Sequence, residues 1–164
     1  MGTRFNADEV FEMALQIERN GAAFYRRAAE IVTDRKSRDL LLALARKEDE
    51  HEATFVAMRA KLSGPETEPP VYDPEGEAAL YLQALANREV FDVGTDPATS
   101  LTGRETLQEI LCAAIGREKD SIVFYTGLKE LVPERLGQGR MDAIIKEEMS
   151  HIRILSQEMA RAKG

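Results

Sequence analysis

A chain of 164 residues and 18.3 kDa, 43% hydrophobic, 31% charged and without tryptophan, has the length of one domain and a soluble, helix-favouring composition. Its 22 basic against 29 acidic residues leave a net charge of −7, which argues against nucleic acid as a partner because no basic stripe is present to displace phosphate counterions. The lone Cys112 excludes disulfides, thiolate-ligated metal centres and dithiol redox chemistry within these residues, while the lack of a long apolar run or a secretion signal predicts a cytoplasmic protein with no membrane contact.

From about Ala7 to Val32, Val10, Phe11, Ala14, Ile17, Gly21, Phe24, Tyr25 and Ala28 recur at helical spacing. Thr33-Asp34 offers an N-cap for a second helix, Asp34 to Leu62, with Leu41, Leu44, Phe55, Met58 and Leu62 in bundle register. Ser63-Gly64-Pro65 stops it. Prolines punctuate the next stretch, which is read as a crossover holding a short helix over Glu75 to Val90. A third helix follows from about Gly103 to Leu131, broken by Pro133 and by Gly137 and Gly139, and a fourth runs from about Arg140 to Ala162. The expected fold is all-α: a single-domain four-helix bundle made of hairpins 7–62 and 104–162 joined by a long crossover, 63–103.

The two hairpins repeat. A shift of 100 residues, without a gap, superposes Glu9 on Glu109, Ala14 on Ala114, Glu18 on Glu118, Phe24-Tyr25 on Phe124-Tyr125, Glu48 on Glu148 and His51 on His151. The bundle is therefore expected to have approximate two-fold symmetry, and anything between its halves should share it.

Polar residues interrupt the apolar stripes at matching heights. Glu18 lies on the inward line of the first helix, Glu48 and His51 on that of the second, Glu118 on the third, and Glu148 and His151 on the fourth. Four ionised carboxylates cannot share a low-dielectric core uncompensated, since each would cost several kcal/mol. No inward Lys or Arg is available, whereas two divalent cations would balance the four charges, with two neutral imidazoles completing the ligand set. Glu and His three residues apart share a helix face and reach a common ion. The two histidines of the chain both occur in this Glu-x-x-His spacing. Asp49, Glu50, Glu52 and Glu147 point away from or to the edge of the stripes and are read as solvated charge, with Glu52 the first candidate for an extra ligand. Tyr25 and Tyr125, seven residues after Glu18 and Glu118, are read either as hydrogen-bond partners of the ligands or as ordinary core aromatics. Cys112 is read as a small buried hydrophobe.

One Glu from each of two helices and Glu-x-x-His from each of the other two resemble the ligand set of the ferritin-like di-iron carboxylate superfamily, more closely its rubrerythrin-like branch, over residues 5 to 162. The resemblance implies a ferritin-like bundle with metal ligands Glu18, Glu48, His51, Glu118, Glu148 and His151. It implies two iron ions as cofactor, with manganese or a mixed pair as the alternative, and peroxide or dioxygen as substrate in oxidative-stress defence. It also implies a homo-oligomer supplied with electrons by an external rubredoxin-like protein or flavoprotein. A full rubrerythrin adds a Cys-rich rubredoxin domain, not found in these residues, and a further Glu one turn after the third-helix ligand, where this chain has Ser121. Iron binding, ferroxidation or storage is the alternative role.

Overall fold

Apolar side chains that return every three or four positions give four long helices in the order expected. The structure, a computed structural model, describes residues 7–62, 77, 80, 81, 84, 97–132 and 134–163. Helix α1 spans Ala7–Ile31, α2 Arg35–Arg59, the short α3 Pro97–Ser100, α4 Leu107–Leu131 and α5 Gln138–Lys163, with a 3-10 turn at Glu134–Leu136 before α5. The long helices have 25 or 26 residues and at about 1.5 Å per residue run about 38 Å. Of the crossover helix expected over Glu75–Val90, Glu77, Leu80, Tyr81 and Ala84 are helical, and the rest lies outside the described residues. Among the described residues no helix is long and apolar enough to cross a membrane.

Local polar chemistry sets the helix ends. Asp34 caps α2 by accepting the Ser37 amide at 2.9 Å, and Arg161 near the end of α5 donates to the same carboxylate at 2.6 Å, fastening the first hairpin turn to the last helix. Helix α4 starts four residues later than Gly103. The Glu105 carboxylate accepts the amides of Thr102 at 2.8 Å and Gly103 at 2.9 Å in a turn where Gly103 has φ +89°. Thr106 and Glu109 then form a reciprocal capping box. Gly137, at φ +106°, turns the chain into α5. Gly139, expected as a second breaker, instead lies inside α5, because only the first glycine adopts the left-handed conformation that ends a helix.

The interior is two apolar clusters separated by a polar layer. One joins Val10, Phe11 and Ala14 of α1 to Phe55 and Met58 of α2, Phe124, Tyr125 and Leu128 of α4, and Met141 and Ile144 of α5. The other joins Phe24, Tyr25 and Ala28 to Leu41, Leu44, Ile110, Leu111, Ala114 and Leu155. Each cluster draws on all four long helices, and burying one large side chain contributes about 1.5–3 kcal/mol. Cys112 is exposed rather than buried: about 100° of rotation from the inward Leu111 carries it off the stripe.

Candidate metal centre

Between the two clusters lie four buried carboxylates and two buried imidazoles. Glu18, Glu48, His51, Glu118, Glu148 and His151 are all at most 4% exposed, so the structure brings together every residue that the sequence placed on the inward lines. Two overlapping groups result, Glu18, Glu48, His51 and Glu148 in one and Glu48, Glu118, Glu148 and His151 in the other. In each, one donor atom per residue lies within 4.8 Å of the others. Glu48 and Glu148 belong to both groups. The two imidazole rings stack at 5.8 Å between centroids, inclined by 21°, across the approximate two-fold axis implied by the repeat.

The polar atoms crowd together without satisfying one another. His51 Nδ1 lies 3.0 Å from Glu148 Oε1 and 3.5 Å from Glu18 Oε2, and His151 Nδ1 lies 2.9 Å from Glu148 Oε2. Yet both Nδ1 atoms, both Glu148 oxygens, Glu18 Oε2 and Glu48 Oε1 are buried without a hydrogen-bond partner. Leaving so many buried polar atoms unpaired is costly. Donors that converge at such distances without hydrogen-bonding angles are aimed at common points between them, and a mixed carboxylate–imidazole set suits iron or manganese. The residues fit a pair of ions.

Without metal the layer balances charge with protons. Burial pushes the Glu18 carboxyl up, pushes Glu48 well above the usual range with help from Glu18 and Glu148, and raises Glu118 to about 8. Burial would raise Glu148 too, but the His151 and His51 imidazoles outweigh it and pull its carboxyl below the usual range. Burial alone would lower both histidines. Glu148 and Glu18 instead push His51 up to about 11, and Glu118 and Glu148 push His151 up to about 9.

The tyrosines cross-link the halves. Tyr25 of α1 donates its hydroxyl to Glu118 Oε1 of α4, and Tyr125 of α4 donates to Glu18 Oε1 of α1. Burial raises both phenols well above their ordinary value, so they remain donors. They are at once packed aromatics and hydrogen-bond partners of the carboxylates. Ser121 is 7% exposed and lines a cavity of about 350 Å³ with Gly21, Tyr25, Glu48 and Glu118.

Among the charges read as solvated, Glu52 meets Arg19 at 2.7 Å, Asp49 meets Arg26 and Glu50 meets Lys47 at 2.7 Å, all on the surface. Glu147 is half-exposed like them but also reaches the site. Its Oε2 stands 3.2 Å from His51 Nε2, the ring nitrogen turned away from the carboxylate layer. It lies on the edge of α5, and only the packing of α2 beside that edge brings His51 to it. Gly21 was visible on the inward line but its purpose was not: a Cβ there would lie 2.5 Å from Glu48 Oε2. A glycine in mid-helix costs about 1 kcal/mol relative to alanine, a signal that something approaches closely.

Comparison with known proteins agrees with this geometry. A family model described as Rubrerythrin matches residues 9–159. The crystal structure of a putative ferritin-like diiron-carboxylate protein from Thermotoga maritima is similar at a TM-score of 0.75 and 25% identity over 99% of each chain. No curated protein matches.

Proposed function

This chain belongs to the rubrerythrin family, and from that premise we propose that it is a di-iron carboxylate oxidoreductase that reduces hydrogen peroxide or dioxygen. The observation that carries the reading is the set of six buried donor atoms, from Glu18, Glu48, His51, Glu148 and His151, that have no hydrogen-bond partner and converge in two groups. A bound pair of redox-active ions would supply the two electrons needed to cleave a peroxide O–O bond. The chain's own residues set the stage. Glu48 and Glu148 are shared between the positions, Tyr25 and Tyr125 hold Glu118 and Glu18 in place, and the apolar clusters close the polar layer off along the bundle on either side. The single cysteine offers no thiolate-ligated relay within these residues, and the electrons reach the site from outside them, from a rubredoxin-like or flavin-bearing donor.

Ser121, where the resemblance to full rubrerythrins implies a further carboxylate, favours a second reading in which iron is bound or oxidised for its own sake, in a homo-oligomer. One experiment separates them. The protein is reconstituted anaerobically with ferrous iron and given peroxide, and consumption and optical change are followed. Oxidation faster than free ferrous iron in the same buffer, with turnover sustained by an added electron donor, is expected of the oxidoreductase. Reaction no faster than free iron would overturn it, and a large closed shell by light scattering would favour storage.

A further inference from the structure

The repeat makes the pair Glu18 and His51 equivalent to the pair Glu118 and His151, but their surroundings are not equivalent. His51 Nε2 has the Glu147 carboxylate at 3.2 Å. The residue 100 positions earlier, facing the other half, is Lys47, whose ammonium lies 2.7 Å from Glu50 and 3.7 Å from Glu147. An ammonium is donor-only and cannot accept the remote N–H of His151. Two cavities add to the difference. One of about 480 Å³ is walled by Leu44, Lys47, Glu147, Ser150 and His151 but not by His51. The 350 Å³ cavity at Ser121 is walled by Glu118 and Glu48 but not by Glu18.

Resting on the two-ion reading above, we infer that the two positions are unequal. The position at Glu18 and His51 retains its ion tightly, with Glu147 as the positioning residue for His51, and the position at Glu118 and His151 loads last and exchanges with solvent. A carboxylate on the remote imidazole nitrogen fixes the tautomer that turns the Nδ1 lone pair toward the ion and makes that nitrogen a better donor. Nothing equivalent supports His151 among the described residues. Each of the two cavities is walled by a ligand of that position, Glu118 in one and His151 in the other.

The test is an anaerobic titration of the metal-free full chain with Co²⁺, read by visible absorbance and equilibrium dialysis. Two binding steps are expected, separated by about tenfold or more, the scale on which such outer partners act. Glu147→Gln should weaken the first step by about 10–100-fold and leave the second in place. Lys47→Glu, which offers His151 the missing carboxylate, should tighten the second. In the Zn²⁺-loaded protein the ring N–H proton of His51 should resonate further downfield than that of His151. Two equal steps in the unaltered protein, or a Glu147→Gln variant that shifts both steps alike or neither, would overturn the inequality while leaving a two-ion site. Failure to bind Co²⁺ at all would overturn the two-ion reading along with it.

Discussion

Each hairpin carries the same three inward polar residues, two glutamates and a histidine, and the same tyrosine, yet the two differ immediately outside that set. Gly21 faces Glu48 where its counterpart is Ser121, and Lys47 stands where the second hairpin has Glu147. The first hairpin turns through three residues capped by Asp34, whereas the second turns through a 3-10 segment and a left-handed Gly137. The lesson is that what points at the centre is held fixed between the halves, while what supports those groups from behind has diverged. Symmetry belongs to the ligands and asymmetry to their neighbours.

The largest expected effects come from residues shared by both halves. Glu48→Ala or Glu148→Ala should reduce bound iron from about two ions per chain to less than one, because each removes a donor from both groups. Glu18→Ala or Glu118→Ala should cost only one ion. Metal analysis after anaerobic reconstitution distinguishes the two outcomes, and equal losses from all four variants would break the division into shared and private ligands. Loading should also raise the melting temperature of the unaltered protein, through about 2.7 kcal/mol of stabilisation for each ion held at a free metal concentration of 100 times its Kd.

Next in size is the coupling of metal to pH. In the metal-free protein Glu118, raised to about 8, and His51 and His151, raised to about 11 and about 9, bind protons that the unfolded chain has released. Stability from the histidines is therefore fully present below their unfolded pKa and is lost as pH rises through 9 to 11. The raised Glu118 likewise makes the folded state lose ground as pH climbs from its unfolded value toward 8. Ligands must be deprotonated to bind, so metal uptake releases protons and strengthens with pH. The gap in melting temperature between Co²⁺-loaded and metal-free protein should widen between pH 6 and pH 8.5. A constant or narrowing gap would show that protons are not balancing the layer.

The smallest effect sharpens the contrast between Gly21 and Ser121. Gly21→Ala should stabilise the metal-free helix by up to about 1 kcal/mol through propensity, while displacing the Glu48 carboxylate and weakening metal binding. Ser121→Ala should leave binding nearly unchanged, since no ligand leans on its hydroxyl among the described contacts. Denaturation of the metal-free forms beside Co²⁺ titration separates the two. A Gly21→Ala variant that binds Co²⁺ as well as the parent would show that Glu48 has room to move.

Much of this site was legible because its signals are local. Helical period places Glu18, Glu48, Glu118 and Glu148 on inward lines, the three-residue spacing adds both histidines, and the repeat aligns the halves without reference to packing. The cross-links from Tyr25 to Glu118 and from Tyr125 to Glu18 were only half legible: the sequence gives the face of each tyrosine, but its partner lies on another helix. The contact of Glu147 with His51 is hidden for the same reason, since its angle on α5 reads as an edge until α2 supplies His51. The start of α4 lies four residues beyond the expected one because the chain from Gly103 to Thr106 carries no periodic apolar signal, and its boundary is set by Glu105 and the capping box. Cys112 shows the converse limit, where residue type suggested burial and angular position decided against it.

Both apolar clusters draw on all four long helices, so neither hairpin by itself encloses a core. A free copy of either would have to find a second copy to bury its inner face, and two identical copies would rebuild four Glu and two His around an exact dyad. In such a pair positions 47 and 147 would be encoded once, and the residue there would have to serve both imidazoles identically. Joining two hairpins in one polypeptide removes that constraint: a lysine and a glutamate can occupy the two places at the same time. The covalent crossover is thus what allows a symmetric ligand cage to have two dissimilar ends.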